Sequence, residues 1–168
     1  MPAFTHLLDT SVYSQPVRRS MHPGVAARWS AVSPESAAIS AVCEAEVLYG
    51  LKKHGSPQMR EAYVSILRGR FSVLPVDQEV AATYADLRCD CERQGVTVEA
   101  LDLLIAAREL LELSKSLHGV TVEALDLLIA ATAKTHGLIV ATLNVTHFFR
   151  IPGLAVEDWS QPPAPPAS

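Results

Sequence analysis

Apolar and polar positions fall in blocks of changing period along the 168-residue chain. Phe4 to Leu8 is a short apolar run without helical spacing that closes on Asp9, which predicts a buried strand. Ile39 to Val42 predicts a second strand passing directly into a helix over CEAEVLYGLKK, stopped by Gly55, Ser56 and Pro57. Ser72 to Val76 is a further short strand or an extended connection. Asp77 is placed to cap a helix whose apolar positions Val80, Tyr84, Leu87 and Cys91 lie four, three and four apart, and Gly95 ends it. LIVATL, from Leu138 to Leu143, is the most strand-like run and stops at Asn144, and Leu154 to Trp159 predicts an edge strand. Strands alternating with helices predict an α/β fold around a mainly parallel sheet.

One segment interrupts this alternation. GVTVEALDLLIAA runs from Gly95 to Ala107 and again from Gly119 to Ala131, each copy carrying one acid, Asp102 or Asp126. The residues that follow differ, RELLELSKSLH after the first copy and TAKTHGLIVAT after the second, so this is no simple tandem duplication. In one unbroken helix at ~100° per residue, the two aspartates would point about 240° apart and could not serve one site. A helical hairpin is predicted instead: a first helix through Leu110, Leu113 and Leu117, a stop at Gly119, a turn at Val120-Thr121, and a second helix from near Val122 to Gly137.

Composition bounds the answer without choosing a function. At 49% hydrophobic and 19% charged, residues 1–160 can form one domain with a real core, and the proline-rich tail from Gln161 to Ser168 is expected to be disordered. No apolar run approaches the ~20 residues of a membrane span, and no signal peptide pattern opens the chain, which predicts a cytoplasmic protein with no membrane association. Cys43, Cys89 and Cys91 read as reduced structural thiols. A net charge of −4 argues against coating nucleic acid electrostatically. The charge is uneven, however: eight Lys/Arg against five Asp/Glu up to residue 75, and six against thirteen afterwards. The first half could therefore present a modest basic surface through Arg18, Arg19, Lys52, Lys53, Arg60, Arg68 and Arg70, although on charge alone these read as ordinary solvated faces.

Ligands in parallel sheets bind at the carboxyl edge of the strands, and that edge selects polar residues. Asp9 closes the first strand, Glu46 follows the second, Asp126 lies in the first turns of the helix before LIVATL, and Asn144 ends LIVATL. Clustered carboxylates repel one another unless a cation joins them, and Mg²⁺ or Mn²⁺ prefers oxygen ligands of this kind. Such an ion suits hydrolysis of a phosphodiester. Glu44 and Glu46 are two apart and face different ways, so at least one should be solvated. No zinc spacing, Walker loop or nucleophile-elbow serine is present.

LLDTSVYS, ISAVCEAEVLYG, LDLLIAATAKTHGL and ATLNVTHFFRIPGLAVEDW, in this order, resemble the PIN-domain ribonucleases, and most closely the VapC toxins of type II toxin–antitoxin pairs. The resemblance implies a PIN-like three-layer sandwich carrying an extra helical segment within residues 95–131. It implies an endoribonuclease dependent on Mg²⁺ or Mn²⁺, often a homodimer, held inactive by a cognate antitoxin. Carried onto this chain, the catalytic acids fall on Asp9, Glu46 and Asp126, with Asp9 and Asp126 as metal ligands, Ser11 and Asn144 in support, and Asp102 as the alternative third acid. Asn144 stands where the family commonly has a fourth aspartate. Two other readings remain open at this point: an antitoxin-binding protein whose site the repeat has disrupted, and a different Mg²⁺ phosphohydrolase.

Overall fold

The computed structural model describes residues 4–98, 121–122, 124–161 and 163. Five parallel strands form the central sheet: β1 (His6–Leu8), β2 (Ala37–Ser40), β3 (Ser72–Leu74), β6 (Ile139–Thr142) and β7 (Val156–Asp158), in the spatial order β3-β2-β1-β6-β7. The chain moves outward from β1 to β3 and then returns to lay β6 against the other side of β1, pairing Leu7 with Val140 and Leu8 with Ala141. This reversal of strand order between β1 and β6 opens a crevice at their carboxyl ends. As the apolar runs suggest, Leu7, Leu8, Ala38, Ile39, Val140 and Ala141 are fully or almost fully buried, because helices cover both faces of the sheet.

Among the described residues the helices are α1 (Thr10–Tyr13), α2 (Pro23–Trp29), α3 (Ala41–His54), α4 (Pro57–Ala62), α5 (Gln78–Arg93), α6 (Ala124–Thr135) and α7 (Val145–Phe148), with a 3₁₀ turn at Gln15–Val17 and a π turn at Tyr63–Leu67. The second strand ends two residues before Val42. Ser40 accepts a hydrogen bond from the Cys43 N–H at 3.1 Å, and this cap starts α3 at Ala41. Asp77 caps α5 through Val80 N–H at 3.0 Å, and Gly95 follows its end with a φ of +74°. At the end of α6, Gly137 takes a φ of +65° and the Leu138 N–H reaches back to the Ala133 carbonyl at 2.8 Å, which turns the chain into β6. The strand predicted over residues 154–159 forms as β7, at the edge of the sheet. Among the described residues no helix is long and apolar enough to cross a membrane.

The repeat enters the fold through an unforeseen pairing. Thr97–Val98 (β4) and Thr121–Val122 (β5) form a parallel two-stranded ladder, Thr97 beside Thr121 and Val98 beside Val122, so equivalent residues of the two copies lie side by side. Thr121, expected in the turn of a hairpin, is therefore in a strand. An extended Thr-Val pair meets an identical pair with matching backbone groups, a local solution that helical periodicity does not reveal. Asp102 and the predicted first helix through Leu117 lie outside the described residues, as does the proline-rich tail apart from Gln161 and Pro163.

Candidate functional site

Asp9 ends β1 with its own N–H bonded to the Ala141 carbonyl at 3.0 Å, which fixes it next to the end of β6. The chain turns at once into α1, and the Asp9 carboxylate caps that turn by accepting from Thr10 N–H at 2.7 Å and Ser11 N–H at 3.3 Å. Two hydroxyls also donate to Oδ2: Ser11 at 2.6 Å and Thr142 at 2.8 Å. Their own oxygens are held in turn by the Leu143 N–H at 3.0 Å and the Asn144 N–H at 2.8 Å. Asp9 is 2% exposed, and these donors are what permit a carboxylate there. Oδ1 takes a single hydrogen bond and keeps lone-pair capacity.

Glu46 projects from the second turn of α3, where Thr10 donates to it at 2.5 Å. Asp126 lies in the first turn of α6, 13% exposed, and meets His147 Nδ1 at 2.7 Å. Asn144 starts α7 without a side-chain cap bond. Asp9, Thr10, Ser11, Arg18, Glu46, Asp126, Asn144 and His147 line one cavity of about 230 Å³ at the carboxyl edge of β1 and β6. All the candidate residues that lie within the described part of the chain thus meet in one place. Asp102 is not among the described residues.

Glu44 is not solvated. It faces away from Glu46, half-buried, and accepts hydrogen bonds from the hydroxyls of Tyr13, at 2.9 Å, and Tyr63. Burial and the Glu44 carboxylate push both tyrosines up, Tyr63 to about 12. The expectation of a solvated glutamate fails because α3 is packed on both sides here, by α1 and by the π turn. Glu44 thereby ties the helix that carries Glu46 to the helix that follows Asp9.

Sequence reasoning selected neither Thr10, Arg18 and His147, which line the cavity, nor Thr142, which holds Asp9 from behind, as site residues. Thr142 is the last residue of the LIVATL strand, a polar side chain at a fully buried position, and that could have marked it. His147 comes close because α7 follows Asn144 without a gap, and Arg18 because the 3₁₀ turn folds back beside α1. Neither is visible from spacing alone.

Beneath the site, the Cys43 thiol is pushed up to about 12 by burial and by the Asp9 charge. A thiol held neutral in the fold stabilises it fully below the ordinary thiol value of 9.0, and that contribution is lost as pH rises from there through about 12. Cys91 is raised by burial and adds to the loss in the same direction, and Tyr63 adds from 10.0 upward. Urea midpoints are therefore expected to fall above about pH 9. Cys43→Ala should make the fall between about pH 9 and 10 shallower; an unchanged profile would remove Cys43 from the account. The other two cysteines are also free, Cys89 exposed and Cys91 buried, as their spacing suggests.

Every polar group facing the cavity except His147 and Arg18 offers oxygen. That donor set matches hard divalent cations, which accept one or two carboxylates and keep several waters. Among the described residues, no three His, Cys, Asp or Glu side chains form a ready-made metal cluster. Water would have to complete the coordination of any ion here.

The PIN domain family model matches residues 6–154. The tRNA(fMet)-specific endonuclease VapC of Salmonella typhimurium is 29% identical over 121 residues, 72% of this chain and 74% of that protein. The crystal structure of FitAcB from Neisseria gonorrhoeae superposes with a TM-score of 0.71 at 28% identity, covering 92% of this chain and 98% of that one. VapBC-5 of Mycobacterium tuberculosis, a member of the VapBC family of toxin-antitoxin systems, gives a TM-score of 0.58 at 25% identity, over 94% and 98% of the two chains.

Proposed function

Because the chain belongs to the PIN-domain family, we propose that its acidic cavity hydrolyses RNA phosphodiesters and that the protein is the toxin of a toxin–antitoxin pair. The observation that carries the reading is the convergence of Asp9, Glu46 and Asp126 on one cavity at the switch point of the sheet. The family resemblance and the endonuclease and toxin–antitoxin relatives support it.

Asp9 and Asp126 would hold Mg²⁺ or Mn²⁺, with Asp9 Oδ1 the oxygen that retains capacity. When bound, such an ion supplies Lewis acidity toward the phosphate and a water of lowered pKa. The chain's own groups do the rest. Ser11 and Thr142 fix the Asp9 carboxylate by donating to Oδ2, so its other oxygen is held without reorganising. Thr10 orients Glu46, which is placed to accept a proton from the attacking water. His147 fixes the rotamer of Asp126. Asn144 offers an amide that accepts or donates but adds no charge.

A partner that silences this site would find an apolar groove beside it, about 690 Å³, lined in part by Ala41, Val42, Ala45, Tyr49 and Leu125 together with Glu46. A cognate antitoxin is the partner this reading assigns. It also assigns a cytoplasmic homodimer, supported by the resemblance and by the apolar side chains left exposed at Val64 and Ile66. The domain spans residues 1–160, with the tail outside it.

The test is direct. Purified protein incubated with a labelled single-stranded RNA should cut it in Mg²⁺ or Mn²⁺ and stop in EDTA. Turnover that is indifferent to EDTA, or a preference for small phosphomonoesters over RNA, would reject the reading.

A further inference from the structure

A second cavity, about 640 Å³, opens beside the acidic one and shares Arg18 with it. Arg19, His54, Ser56 and Gln58 complete its polar wall, and no carboxylate lines it. A smaller cavity of about 290 Å³ shares Thr10, Arg18 and Glu46 with the acidic cavity, and Arg18 and His54 with the larger one. The three cavities therefore adjoin in series through shared lining residues, a channel acidic at the sheet edge and basic at its far end.

The basic end is held in place by local bonds. Gln15, 5% exposed, donates its amide to the Ser11 carbonyl at 2.9 Å and accepts from the His22 N–H at 2.9 Å, clamping both sides of the turn that bears the arginines. The Arg18 N–H closes the 3₁₀ turn on the Gln15 carbonyl at 3.0 Å, and its guanidinium donates to Ser14 Oγ at 3.1 Å. Among the described residues, neither Arg18 nor Arg19 forms an ion pair with a carboxylate. Two exposed cations with no acidic partner among the described residues, on a turn held by these bonds at the mouth of a carboxylate cavity, suit a polyanion that must reach those carboxylates.

The geometry points to this channel as the path of the RNA strand, with Arg18 and Arg19 holding backbone phosphates next to the one that is cut. The inference rests on the nuclease reading and adds where the substrate runs. A strand cleaved at the acidic cavity has to leave it carrying one negative charge per nucleotide, and the exit through Arg18 is lined by cations. An acidic peptide matches the same charge but has no need to be continuous with the cavity of Asp9 and Asp126, so RNA is the occupant favoured.

The test measures binding and cleavage separately. A fluorescent ten-nucleotide RNA is titrated in EDTA against the wild-type chain and against Arg18→Gln/Arg19→Gln, across 50–200 mM salt. Each lost phosphate contact on a single strand lowers the log–log salt slope by about 0.7, so the double variant should bind more weakly with a slope shallower by about 1.4. Arg18→Lys/Arg19→Lys should restore most of the slope, and equal thermal midpoints for all three proteins show that the variants are folded. An unchanged slope in the glutamine variant overturns the proposal. So does displacement of the RNA by hexaglutamate at equal concentration, which would make the channel a site for acidic peptide. Cleavage in Mg²⁺ is followed in parallel. A wild type that cuts RNA yet binds it independently of both arginines rejects the channel alone. A wild type that binds RNA through the arginines but never cuts rejects the nuclease reading and leaves the channel standing.

Discussion

Asp126→Asn is expected to lower metal-dependent RNA cleavage about a thousandfold, an increase of about 4 kcal/mol in the barrier, while Asp102→Asn keeps near wild-type turnover. The two aspartates sit in identical surroundings in sequence, within LDLLIAA, yet only Asp126 belongs to a helix that leads through Gly137 into β6. That connection holds the acid beside Asn144 and His147 and opposite Asp9. The amide of asparagine can keep a hydrogen bond to His147, so the substitution removes charge with little loss of packing. Single-turnover assays of the two variants in saturating Mg²⁺ decide the matter. Loss of activity in Asp102→Asn alone would transfer the third acid to the first copy of the repeat.

Leu127→Ala should destabilise the fold by about 2–5 kcal/mol, which is a large share of the stability of a domain this size. Leu127 is fully buried in the main apolar cluster, one residue from Asp126, on the helix that packs against α5. Removing its side chain leaves a cavity that α6 and β6 close only in part, because both elements are also tied down elsewhere: Thr135 bonds to Thr83 at 2.8 Å, and β6 is paired on both sides. Urea denaturation measures the change. The first copy carries Leu103 at the equivalent position, so a slot that accepted either copy would be refilled by the intact one. A loss below about 1 kcal/mol would therefore indicate exchange of the two copies and contradict a fixed place for α6.

Much of this arrangement was legible before folding. Asp9 ends a short apolar run without helical period, a pattern that suits a buried strand and places its closing acid at a sheet edge. Asp77 and Gly95 announce a helix from its two ends, because capping and left-handed backbone are local requirements. Glu46 and Asp126 were legible through the family resemblance and through the conflict between a carboxylate and its apolar neighbours. The fate of Glu44 was not legible. Its two partners, Tyr13 and Tyr63, are 31 and 19 residues away, and no short-range pattern links them to it.

The repeat shows the same boundary more sharply. From the sequence alone it follows that two copies exist, that they cannot both serve one site from a single helix, and that the residues after them differ. Tertiary structure alone aligned the Thr-Val starts of the two copies as paired strands, set His147 and Arg18 at the cavity, and laid a second cavity with Arg19 and His54 beside it. The reason is physical. Strand ends, caps and helix faces are set by interactions between near neighbours in the chain, so their signals lie in contiguous residues. A site and its approaches depend on the order in which parallel strands are laid beside one another, and that order is chosen by the packing of the whole sheet.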